Sequence, residues 1–393
     1  MELIRGGRIA TIDGLRGIAI VLVVWFHVWQ ISWQGVVIPV VNVSLQPLAE
    51  TGFLGVALFF FISGFVLAVP YADARFVGGA PPTVRHFFTR RFLKIVPSYV
   101  LCIAVLIAVG YQSYPTFAAG ARDVVYHLLF VHDWFGVSYA GIDGVMWSLG
   151  DEVQFYALFP LLILAFVRRP FAIALAMMGI ANAWRIWCHF ADPYWIELRL
   201  AALPAYLDDF AAGMLCAWCY VAIATRRPDL AARRRLFTAL ALAGAAGYWL
   251  IASVCYHQRF QHGWPHLWDV EWRTALAATF FCAALGSLFA VRPLQLALAN
   301  PALLFMAAIS YNLYLWHQPI ALALVGRHIP PWTGSDQHAD PRWMLSFAFV
   351  AVPAAIAVSA AITYAFERPI LRLRLGARRK PAPSASLPAT PAS

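Results

Sequence analysis

Arg16 and His27 stand eleven residues apart in the first hydrophobic segment. Eleven residues of helix make about three turns and rise about 16 Å, so the two side chains share one face. That rise is about half the apolar thickness of a bilayer. A histidine at that depth is either a packing residue satisfied by a neighbour or a proton-handling group facing a polar cavity. Asp13, three residues before Arg16, is close enough to pair with it.

Three further clusters carry polar groups where lipid would exclude them. Trp147-Ser148-Leu149-Gly150-Asp151-Glu152-Val153-Gln154-Phe155-Tyr156 opens a hydrophobic segment. Ser148 reads as a helix cap, with Asp151 at the capping-box position. Glu152 and Gln154 lie one to two turns further in, where no cap explains them. Glu152 is expected at a depth comparable to His27, close enough to orient or charge-stabilise an imidazole. Arg90, Arg91 and Lys94 form a basic turn whose spacings of three and four put 91 with 94, or 90 with 94. The turn reads as an anchor at the membrane surface or as a phosphate clamp, for which arginine supplies bidentate contacts. Ser310, Asn312, His317 and Gln318 fall in one span and imply a cavity or interhelical hydrogen bonds. His317 reads equally as a structural partner or a substrate ligand. Asp208 and Asp209 are adjacent, so one is expected to face a cavity and the other an interface. His257, His262 and His266 in one loop match no standard metal spacing, and no metal is expected.

The elements that must position these groups are membrane helices. Hydrophobic residues make up 62% of the 393-residue chain and charged ones 12%. Ten apolar runs approach spanning length: 17–38, 53–71, 95–111, 147–167, 171–190, 203–224, 236–256, 274–291, 303–326 and 343–366. Val124–Phe135 is too short to span and reads as an interfacial or re-entrant helix. Of 29 Lys and Arg residues, 22 fall at the N-terminus, in even-numbered loops and in the tail, against 6 in odd-numbered loops. That asymmetry places both termini in the cytoplasm. It also accounts for the net charge of +10 without nucleic acid. The expected fold is an all-α integral membrane protein. One transmembrane domain covers 1–372, followed by a disordered cytoplasmic tail, 373–393, rich in Pro, Ala and Ser.

Taken in order, these clusters resemble the membrane acyltransferase-3 family. Ile12-Asp13-Gly14-Leu15-Arg16-Gly17-Ile18-Ala19 with His27 is similar to its opening motif. Trp147–Tyr156 is similar to its WSLxxExQFY pattern, Ser310–Pro319 to SYxLYLWHxP, and Glu367-Arg368-Pro369 to its closing motif. The resemblance implies transfer of an acyl group, often acetyl, from cytoplasmic acyl-CoA to a hydroxyl of a glycan or glycolipid at the bacterial inner membrane. Acyl-CoA is then a cosubstrate, with no tightly bound cofactor. In that reading His27 is the base, Arg16 the other essential member of its motif, and Glu152 its orienting acid. Arg90, Arg91 and Lys94 contact the CoA. Asp13, Trp147, Gln154, Tyr156, Asp208 and His317 are expected around the substrate. Three positions depart from the pattern. Lys94 stands where Arg is common, Val153 replaces a second acid, and Tyr206 stands where an Arg often precedes Asp208. A transporter or flippase for a small polar or acyl-bearing molecule is the competing reading, since it also needs polar residues at mid-membrane.

Overall fold

The computed structural model describes residues 4–5, 8–33, 37–38, 43–191, 193–261, 267–334 and 336–376. Ten long helices carry the architecture: α1 Ala10–Ser32, α2 Leu54–Phe76, α3 Val84–Ala108, α4 Trp147–Phe166, α5 Pro170–Ala191, α6 Leu207–Arg226, α7 Arg234–Tyr256, α8 Arg273–Phe289, α9 Pro301–Gly326 and α10 Pro341–Ile362. The fold is all-helical and membrane-spanning. Two pairs of two-residue strands, at 4–5 with 8–9 and at 37–38 with 43–44, are the only β structure among the described residues.

Eight of these helical stretches are long and apolar enough to cross a bilayer. The number is nine if α8 and the following Arg292–Leu298 helix, bent from it by 118°, form one span. The ninth segment of the sequence reading, α9, is not among them. Its 26 residues are ample length, but Ser310, Asn312, His317 and Gln318 lower its hydropathy. All but Gln318 of these four are buried in the protein, not turned to lipid. The 95–111 segment starts earlier than its apolar run: α3 begins at Val84, where the Thr83 hydroxyl accepts from the His86 amide at 3.3 Å. The basic residues 90–94 therefore lie inside a helix. Val124–Phe135 becomes the helix Phe117–Leu128 followed by a 3-10 turn, His132–Trp134, neither of spanning length. His262, His266 and the tail from 377 lie outside the described residues.

α1 runs between α2 and α9, and the broadest contacts are α2 on α6 and α7 on α8. Glycines allow close approaches between these helices. A Cβ on Gly17 would stand 2.4 Å from the Leu303 carbonyl oxygen, and one on Gly213 would stand 1.9 Å from that of Phe61. Any larger side chain would push α1 off α9, or α6 off α2, and the polar groups carried by those helices would no longer meet.

Candidate active site

One cavity gathers residues from all four clusters. It has about 860 Å³ of space, its open mouth included. Its polar lining comes from Arg16 on α1, Ser63 on α2, Arg91 and Lys94 on α3, Ser148, Glu152 and Tyr156 on α4, and Ser310, Tyr311 and Tyr314 on α9. Arg90 is exposed and does not line it. Of the two pairings that the spacing allowed, the fold uses 91 with 94. The Arg91 guanidinium lies 5.3 Å from the centre of the Tyr156 ring. Lys94 pairs with Glu367, a buried carboxylate. The sequence reading gave Glu367 no role, although the closing motif contains it. A π-helical turn, Thr363–Glu367, aims Thr363 and Glu367 at Asn312, whose amide donates to each at 2.9 Å. Such turns often mark functional positions, because the extra residue redirects side chains that a regular helix would turn away.

Glu152 does not meet His27. Its carboxylate accepts from the hydroxyls of Ser63 and Tyr156 and lies within electrostatic reach of Arg16. The expected contact failed because equal depth does not fix the direction in which two helices point their side chains. Ser148 is not a cap either; its hydroxyl lies 2.6 Å from that of Tyr314.

His27 meets His317 instead. Nε2 of His317 is 3.1 Å from Nδ1 of His27, and Nδ1 of His27 also lies 2.9 Å from the Val23 carbonyl oxygen. The partners assign the tautomers. Nδ1 of His317 faces two carbonyls, Leu313 at 2.9 Å and Tyr314 at 2.8 Å. Carbonyls only accept, so this nitrogen carries hydrogen and Nε2 of neutral His317 is an acceptor. His27 must then donate from Nδ1, which leaves its Nε2 with a free lone pair. A histidine locked in this tautomer is ready to take a proton.

The cavity stops at Tyr314, whose hydroxyl donates to the Val145 carbonyl at 2.8 Å. Past this partition a second cavity of about 850 Å³ opens, lined by Tyr111, Gln112, Asp143, Gly144, Gln318 and Leu322 among others. Ser310 and Leu322, which border different cavities, are twelve residues apart on α9, roughly 18 Å of helix. Burial pushes the Asp143 carboxyl up to about 7.

Several residues expected around the substrate make contacts within the protein. Gln154 donates to the Phe130 carbonyl at 2.8 Å and to Asp133 at 2.9 Å, and accepts from the Trp134 indole at 2.8 Å. It pins the 3-10 turn to α4. Burial raises Asp133 to about 6 and lowers His132 to about 3. Trp147 packs on Tyr206 at 5.4 Å between ring centres. Asp13 lies within electrostatic reach of Arg16, as its spacing implies.

Asp208 and Asp209 both sit in the interior, neither in a cavity lining. Asp208 accepts from Arg185 at 2.6 Å and from Thr274 at 2.7 Å, while Arg273 approaches Asp209 at 3.9 Å and lies 4.0 Å from the Tyr206 ring centre. Cations from α5 and α8 thus stand in for the arginine absent at 206. Removing one partner of such a pair strands the other. Arg185→Met is expected to cost about 3–5 kcal/mol, read as a lower unfolding midpoint in detergent. Adding Asp208→Leu should recover most of the loss.

A sequence profile described as an acyltransferase domain matches residues 9–364. The chain belongs to the acyltransferase 3 family. Among curated relatives, the peptidoglycan O-acetyltransferase OatA of Listeria monocytogenes is 24% identical over 339 residues, 79% of this chain and 49% of its own length. The O-acetyltransferase OatA of Staphylococcus aureus is 24% identical over 332 residues, 79% of this chain and 50% of its own. The acyltransferase MdmB of Streptomyces mycarofaciens is 31% identical over 159 residues, 39% of each chain. This acyltransferase 3 chain spans about half the length of the OatA relatives. No solved structure matches. Family membership means an acyl donor and an acceptor, handled by an integral membrane protein.

Proposed function

We propose that the protein moves an acyl group, acetyl by preference, from acyl-CoA to a hydroxyl of a cell-envelope glycan or glycolipid in the bacterial inner membrane. The observation that carries this reading is the first cavity. It presents three cations, Arg16, Arg91 and Lys94, and one carboxylate, Glu152, in a single lining. A polyphosphate donor needs that charge balance, and the arginines supply planar forks for phosphate oxygens. Glu152 and Glu367 lie against the cations and hold them in place. The 22 basic residues counted on one side of the alternation support a cytoplasmic mouth, on the side where CoA thioesters are found. The Listeria relative is by its name a peptidoglycan O-acetyltransferase, and the Staphylococcus one an O-acetyltransferase.

The step balances without further reagents. Nε2 of His27 takes the proton of the acceptor hydroxyl as its oxygen attacks the thioester carbonyl. The C–S bond breaks, the C–O ester bond forms, and the imidazolium returns its proton to the CoA thiolate. Arg16 supplies positive potential and N–H donors in the cavity lining.

The test is acetyl-CoA turnover by the purified protein in detergent, followed by CoA thiol release in the presence of extracted envelope material. Arg91→Ala and Lys94→Ala are each expected to raise KM for acetyl-CoA by about 10- to 100-fold, the worth of one charged hydrogen bond, with kcat less affected. Arg90→Ala is expected to match the parent. Acceptor movement across vesicles with no CoA released would instead establish the transporter reading.

A further inference from the structure

We infer that the second cavity is the acceptor site, built to take neighbouring hydroxyls of a polyhydroxylated ligand, a sugar, through Asp143 and Gln318. This rests on the acyl-transfer reading and adds the residues that hold the acceptor.

The cavity holds under-matched acceptors. Asp143 is 1% exposed; the Val145 backbone N–H is the donor near its carboxylate, and neither oxygen meets a partner in good geometry among the described residues. Oε1 of Gln318 is likewise buried and unmatched. Both side chains line the same cavity. A buried acceptor left without a donor costs on the order of 1–3 kcal/mol, so two in one cavity mark a place where donors arrive with a ligand. The ligand must therefore bring O–H or N–H groups. Tyr111 and Leu322 set apolar surface beside the acceptors, which suits the alternating C–H and O–H faces of a sugar ring better than a compact ammonium ion.

Position gives the second argument. Gln318 follows His317, the residue that bonds His27. Asp143 and Gly144 precede Val145, whose carbonyl takes the Tyr314 hydroxyl at the partition. A hydroxyl held between Asp143 and Gln318 thus lies beside the stretch of α9 that carries His317, in a cavity that shares no lining residue with the one holding Arg91 and Lys94. Donor and acceptor would enter from different ends. A Cβ on Gly144 would lie 3.8 Å from Oε1 of Gln318, so residue 144 borders the same spot and a larger side chain there would narrow it.

The experiment uses the full-length protein in liposomes, [14C]acetyl-CoA, and envelope material extracted from a host strain lacking the gene. The readout is alkali-labile label on that material, with CoA affinity measured in parallel. Asp143→Asn and Gln318→Leu are each expected to raise the apparent KM for envelope material by about 10- to 100-fold while CoA affinity stays at the parent value. Gln112→Trp, placed at the exposed rim to fill the mouth, should do the same without touching the buried carboxylate. Unchanged KM for envelope material in all three variants overturns the site while leaving acyl transfer standing. No label transferred by the parent protein overturns acyl transfer, and the acceptor site with it. Loss of CoA affinity together with transfer in Asp143→Asn, with Gln112→Trp at parent level, assigns Asp143 to folding and also overturns the site.

Discussion

His27→Ala lowers acyl transfer by about 10²- to 10⁴-fold, the usual contribution of a positioned general base, and leaves the affinity for acetyl-CoA unchanged. Both halves of this expectation follow from the geometry. His27 is absent from the lining of the cavity that holds Arg91 and Lys94, so its loss removes no donor contact. Its Nε2 is the nitrogen left with a lone pair once Nδ1 is committed to Val23 and His317. The checks are single-turnover transfer from acetyl-CoA and equilibrium CoA binding on the same preparation. Parent-level transfer in His27→Ala would remove the base from the mechanism altogether.

His317→Leu is expected to lower kcat by about 10- to 100-fold, the typical loss when the partner that orients a working histidine is removed, with smaller changes in either KM. Its role is positional. Two carbonyls, Leu313 and Tyr314, fix the hydrogen on its Nδ1, and that choice passes through Nε2 to His27. Leucine ends the relay and frees the His27 ring to rotate and change tautomer. His317→Gln restores an acceptor near Nδ1 of His27 and should recover part of the rate. A purely structural role would show the opposite ranking, with the apolar leucine better tolerated than glutamine in a buried site. The kcat of the two variants, measured at saturating acetyl-CoA, separates the cases.

The helices were legible in the sequence because lipid demands long apolar runs, and the ten runs match α1 to α10 even where polar residues dilute α9. The axial relation of Arg16 to His27 was legible for the same reason: a helix fixes rise and rotation. Partnerships between helices were not. Glu152 finds Ser63, 89 residues away, and His27 finds His317, 290 residues away, and nothing local encodes which faces will meet. The choice of Arg91 over Arg90 depends on where α4 places Tyr156. Asp208 is satisfied by Arg185, whose signal was present: a lone arginine inside an apolar segment needs a carboxylate. Asp143 and Glu367 gave weaker signals, since each stands beside a span and reads as an ordinary loop acid.

The Tyr314 partition has an electrical consequence. Two solvent-reached cavities with a thin closure between them do not share a membrane voltage evenly. Water and mobile ions carry almost no field, so the drop concentrates in the protein between the cavities, where Tyr314 is bonded to Ser148 and Val145. A charge crossing that closure is worth about 2.3 kcal/mol per 100 mV. In the proposed transfer a proton moves from the acceptor to sulfur while the acyl group moves from sulfur to oxygen as a cation equivalent, so the two crossings cancel in every turnover. The proposed reaction therefore neither draws on nor adds to the bilayer's stored potential.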